Sequence, residues 1–182
     1  MIRKNMWNTA AKAGLVLGLI SSAYLFITQW TGSADMPGFL SSLLGFVLWG
    51  AKFGGCIWVM GFFMKKFVID NPEAVNKDTF RLGTAMAFLS ALVFAAVAFA
   101  NVAYISADMY AEQIETMMQQ MAPMMDSNTM SVMDTYMENL PQITFFSNLI
   151  YCFIFGTILS YILSRNIPRK DPFADYKPEE QE

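Results

Sequence analysis

Residues 82–107 read LGTAMAFLSALVFAAVAFANVAYISA, a run that contains no Asp, Glu, Lys or Arg. A helix needs about 20 apolar residues to cross a hydrocarbon layer about 30 Å thick. This stretch meets that length, and it does not alternate apolar and polar positions as a lipid-facing strand would. Three more stretches read the same way. Ala13 to Ala34 is uncharged, Met36 to Met64 is broken only by Lys52, and Asn139 to Ser164 is uncharged. The fold class expected is therefore an all-α integral membrane protein. Its four transmembrane helices fall at about 10–31, 38–64, 82–107 and 142–164. Residues 1–170 form one membrane domain, and 171–182 form a polar C-terminal tail.

The cations give the chain a direction. Arg3, Lys4 and Lys12 precede the first span. Lys65, Lys66, Lys77 and Arg81 lie between the second and third, and Arg165, Arg169, Lys170 and Lys177 follow the fourth. The other two connections carry none, so the positive-inside rule puts both termini in the cytoplasm of a bacterial inner membrane. Trp7 and Trp30 sit where interfacial aromatics are expected. Arg3, Lys4 and Gly32-Ser33-Ala34 imitate a signal peptide and its cleavage site. The apolar run exceeds the usual 7–15-residue length, so a retained first span is expected.

Several chemistries have no support. Of 182 residues none is His, which removes the commonest general base and transition-metal ligand. Cys56 and Cys152 fall in different spans with no C-x-x-C spacing, and read as small apolar residues. No phosphate loop, nucleophile elbow or catalytic carboxylate pair is present. No basic patch interleaved with aromatics suggests nucleic acid. No enzyme activity, catalytic residue or cofactor is expected.

Small residues recur every fourth position: Ala10, Gly14, Gly18 and Ser22; Gly50 and Gly54, with Ala51 and Gly55 beside them; Gly83, Ala87, Ala91 and Ala95; Gly156, Ser160 and Ser164. Such stripes let helix backbones approach in lipid. Gly14, Gly18, Gly50, Gly54 and Gly156 are the expected packing points. One stripe is a candidate for a homo-oligomer or a membrane-protein partner. The short first connection predicts that spans one and two pair as an antiparallel hairpin.

Lys52 is the one ionisable side chain well inside a span. Its placement there costs about 2.5–3.5 kcal/mol on insertion scales. Asn101, Tyr104 and Asp108 share one face of their helix at i, i+3 and i+7. The expected cluster is Lys52 held by Asn101, Tyr104 and Asn148. Asp108 is a more distant counter-charge, Gln29 lies at a similar level, and Trp49 is a cation–π neighbour. A satisfied structural lysine is the plain alternative to a proton or ligand site.

The connection 108–141 holds nine of the fifteen methionines and six acids, with no base. Tyr110, Ile114, Met117, Met118, Met121 and Met125 recur at helical steps, as do Met130, Met133, Met137 and Leu140. An extracytoplasmic amphipathic helical hairpin between helices 3 and 4 is expected, with its Met face on the bundle. A less favoured reading is a copper(I) site made by Met117, Met121, Met124 and Met125, since thioethers select that ion. Asp70-Asn71-Pro72 predicts a turn, and Asn76-Lys77-Asp78 a helix start.

These features occur in a familiar order. Gly14 and Gly18 lie in an uncharged first span, and the second ends Phe62-Phe63-Met64-Lys65-Lys66-Phe67. Phe80-Arg81-Leu82-Gly83 opens the alanine-rich third, an acidic segment with Pro123 follows, and the fourth ends Ile162-Leu163-Ser164-Arg165. From about Asn8 to Arg169 the chain resembles the DUF4199 family of membrane proteins, found mostly in Bacteroidota. The resemblance implies a four-helix inner-membrane protein and supplies no catalytic residues. The function favoured by the sequence is a non-enzymatic membrane scaffold or accessory subunit. The competing reading is a small carrier or channel that uses Lys52.

Overall fold

The computed structural model describes residues 2–32, 37–121 and 127–167. Six α-helices and one π-turn make up the described chain, with no strand among the described residues. They are α1 (Ile2–Gly32), α2 (Gly38–Asp70), α3 (Asn76–Ala100), the π-turn (Asn101–Ile105), α4 (Ala107–Met121), α5 (Ser127–Glu138) and α6 (Leu140–Asn166). Four helical stretches are long and apolar enough to cross a membrane: Asn5–Gly32, Gly38–Asp70, Asn76–Ile105 and Leu140–Asn166.

The turn between α2 and α3 forms where the sequence places it. Asn71 donates its backbone N–H and its side-chain amide to the carbonyl of Phe67, at 3.0 and 2.9 Å, and so closes α2. The Asp78 carboxylate accepts the Val75 N–H at 3.1 Å, which satisfies a donor at the start of α3.

α3 is the central helix. In its most apolar window 44% of residues are buried, against 39% in α1 and 6% in each of α2 and α6. α1 lies parallel to α3, since Gly14 meets Met86, Leu89 and Ser90 while Gly18 meets Ser90 and Val93. α6 lies antiparallel to α3, since Gly83 meets Ser160 and Gly156 meets Ala87. The described ends of α1 and α6 therefore share one end of the bundle, and α4 joins α3 at the other. α1 packs on α2, as the short first connection suggested, but more extensively on α3. A short link constrains only one end of a pair, whereas the small-residue stripes of α1 and α3 let their backbones touch along several turns.

α2 is anchored at one end. Its buried residues are Met60, Gly61, Met64 and Phe67, all in the last part of the helix. Met60, Met64 and Phe67 join Ala10, Ala13, Leu17, Ala74, Leu82, Met86 and Ile167 in the core. The first half of α2 contributes no buried residue. There Phe39, Phe46 and Trp49 are exposed.

Candidate functional site

The site begins with Lys52, in the loosely packed half of α2. The ammonium lies 4.7 Å from the Tyr24 ring centre on α1, 5.3 Å from Phe94 on α3 and 5.8 Å from Phe53 on its own helix. These rings are its partners among the described residues. Each such contact contributes about 0.5–2 kcal/mol, the upper end when desolvated. Together they are comparable with the insertion cost of the charge, about 2.5–3.5 kcal/mol.

The expected polar cluster is not assembled around it. Lys52 stands at the level of Phe94, seven residues short of Asn101, or about 10 Å along the helix. Asn101 is fully buried and serves the helix junction instead. It accepts from the Ser106 hydroxyl at 3.0 Å through Oδ1, and donates to Tyr110 Oη at 3.4 Å through Nδ2. Gln29 on α1 donates to the same phenol oxygen at 3.0 Å. Tyr104 is 77% exposed and touches Phe99 rather than the lysine. Asn148 donates to the Thr144 carbonyl of its own helix at 2.8 Å. Asp108 lies in the first turn of α4. Trp49 stacks toward Phe46 and Phe53.

For Tyr104 and Asp108 the physical reason is the π-turn. A face at i, i+3 and i+7 exists only if the helix keeps its 3.6-residue period. The Ser106 N–H instead reaches back five residues to the Asn101 carbonyl at 2.8 Å. That wider turn breaks the phase and carries Tyr104 outward. It also brings Tyr110 back over Asn101. Ser106 and Tyr110 were missed in the sequence. A buried Asn followed by Ser at i+5, just where an apolar run ends, is the signal that marks them.

A cavity of about 80 Å³ adjoins the ammonium. Leu17, Ser21, Ser90, Phe94, Phe155 and Gly156 are among the residues around it. Cys56 and Cys152 both face this space and both are free thiols. Tyr151 and Phe155 of α6 line the cavity and are also exposed on the outside of the bundle. The edge-on contact of Phe53 with Phe155, at 5.3 Å, bridges α2 and α6 there.

The predicted packing glycines divide into two groups. A methyl added at Gly14 or Gly18 would stand 2.6 Å from the Cβ of Leu89 or Val93. At Gly156 it would stand 2.6 Å from the Cβ of Ala87. Gly50 and Gly54 face open space, with no atom within 4 Å of an added Cβ, and Gly45 and Gly55 are alike. Within the chain, then, Gly50 and Gly54 are not packing points. α2 is held by Met60, Met64 and Phe67, and Gly50 and Gly54 lie N-terminal to that anchor.

At the α4–α5 end, Tyr110, Ile114 and Met118 of α4 line a groove of about 480 Å³ with Val102, Met137 and Leu140. Met117 and Met121 are 43% and 40% exposed, off the groove-lining side. Met124 and Met125 lie outside the described residues, so the four-methionine copper set is not described as a unit. Among the described residues no group of three His, Cys, Asp or Glu side chains could hold a metal ion.

The architecture defines the class: a helical bundle with four apolar helices of membrane-crossing length, as in a multi-pass membrane protein. The chain belongs to the DUF4199 family, proteins of unknown function, whose family model matches residues 12–165. No curated protein and no solved structure shows a significant match to the chain.

Proposed function

We propose that this protein is a non-enzymatic scaffold or accessory subunit of a bacterial inner membrane. In this reading α2 receives a transmembrane helix of another protein. The observation that carries it is the contrast between the glycines. Gly14, Gly18, Gly83 and Gly156, on α1, α3 and α6, are occupied by neighbouring side chains, while Gly50 and Gly54, four residues apart on one exposed face of α2, meet nothing. A glycine costs a helix interior about 1 kcal/mol relative to alanine. Two on one face of the loosely packed half of α2 are best accounted for by a close backbone approach from outside the chain. The aromatic flanks at Phe46 and Trp58 would grip such a helix.

Both termini and the α2–α3 turn face the cytoplasm, and α4 with α5 faces outward. The grouping of Lys and Arg supports this orientation. A carrier or channel is less well supported. The space beside Lys52 is about 80 Å³ and its walls are mainly apolar, so it offers no polar path.

The test is mild-detergent purification of the intact chain beside a Gly50→Leu, Gly54→Leu variant. The expected result is a stoichiometric membrane partner with the native chain, lost from a variant whose own thermal unfolding is unchanged. A variant that keeps its partners and its phenotype sinks the proposal.

A further inference from the structure

The ammonium of Lys52 is caged but not neutralised. Aromatic faces attract a cation through their quadrupoles, yet they offer no oxygen to its three N–H donors. Donors left without an acceptor in hydrocarbon cost several kcal/mol each. Tyr24, Phe94 and Phe53 cover part of the head group, and the cavity of about 80 Å³ adjoins it. Apart from Ser21, Ser90 and the two thiols, the cavity is thus apolar walling beside Lys52.

Its position limits what can enter. Lys52 lies fourteen residues from the start of α2, or about 21 Å along the helix. It is similarly far from Lys65 at the other end of the apolar run. A water-borne anion would have to cross that depth. A phospholipid phosphate is held at the surface of the layer. A molecule already dissolved in the bilayer needs only to pass Tyr151 and Phe155, which line the cavity and are exposed on the outside of α6. Leu17, Met60, Phe155 and Leu159 give an apolar body contact area, while Ser21 and Ser90 add hydroxyls near the charge.

We propose that this cavity binds the carboxyl group of a long-chain carboxylic acid, with Lys52 as its counter-ion. The first methylenes fill the space beside Gly156 and Leu159, and the rest of the chain passes Tyr151 and Phe155 into the lipid. A carboxylate supplies the acceptors that the rings lack, and a charge-assisted hydrogen bond is about twice as strong as a neutral one. The site does not depend on the docking role of α2. Its failure would leave that reading standing, and the reverse also holds.

The experiment is native mass spectrometry of the purified full chain in maltoside micelles, titrated with oleate, oleyl alcohol or dioleoylphosphatidylglycerol. The expected result is one oleate retained per chain, with the alcohol and the phospholipid weaker by about tenfold or more. Lys52→Met should lose oleate by a similar factor, about tenfold, while Lys52→Arg retains it. Thermal unfolding of both variants separates lost binding from lost folding. Should Lys52→Met not fold, the oleate–alcohol comparison on the native chain decides the need for charge. Equal binding of the alcohol, no retained oleate, or full retention by a folded Lys52→Met variant overturns the proposal. Lys52-dependent binding of the phospholipid in preference to oleate overturns it as well, by assigning the charge to a head group.

Discussion

At the residue scale, the glycines show how one residue type takes opposite roles. An added methyl at Gly83 would collide with the hydroxyl of Ser160, and would stand 2.8 Å from its Cβ. That hydroxyl donates to the Phe80 carbonyl at 3.0 Å. Gly83→Ala should therefore destabilise the chain by about 1–3 kcal/mol, the usual cost of overpacking. Gly50→Ala should be neutral or stabilising by up to about 1 kcal/mol, since only helix propensity changes. Thermal or denaturant unfolding in micelles measures both, and equal losses at the two positions would contradict the packing described here. Spacing identified both glycines as small-residue positions. It could not separate them, because a four-residue period is the same whether or not a neighbour arrives.

At the scale of elements, the junction of α3 and α4 is set by one buried polar side chain. Asn101 is satisfied on both sides, by Ser106 and by Tyr110, and Tyr110 is tied in turn to Gln29 on α1. Hydrogen bonds of this kind in membrane proteins average about 0.6 kcal/mol by double-mutant cycles. Tyr110→Phe removes the acceptor of two such bonds and should cost about twice that average. Asn101→Leu removes the anchor of the wide turn and should change the direction of α4 as well. Spin labels on α1 and α4 would read this as a changed distance distribution, and an unchanged distribution would show that the π-turn stands without Asn101. The sequence marks Asn101, Tyr104 and Asp108 as neighbours on one face. That inference assumes an unbroken period, and a five-residue hydrogen bond is a local decision invisible to periodicity. The same shift explains why Tyr110, Ile114 and Met118 line the groove while Met117 and Met121 stay exposed.

At the scale of the whole molecule, orientation is open to direct measurement. Thr129→Cys, in α5, should react with a membrane-impermeant maleimide added to intact cells, and Glu73→Cys, in the α2–α3 turn, only after permeabilisation. The reverse pattern would invert the protein in the membrane. Cys56 and Cys152 lie within the apolar spans, where the reagent does not reach, so they give little background. Much of the molecule was legible before any coordinates. Run length and charge alone determined four helices of membrane-crossing length, the turn at Asn71 and the helical character of the methionine-rich segment, because hydrocarbon thickness and solvation act on each segment separately. Only the tertiary structure decided which helix is central, which glycines are filled, and that Lys52 meets three rings instead of two amides and a phenol. Those outcomes depend on the relative level and rotation of helices far apart in the chain. No single segment encodes them, since they arise from where α1, α2, α3 and α6 come to rest against one another.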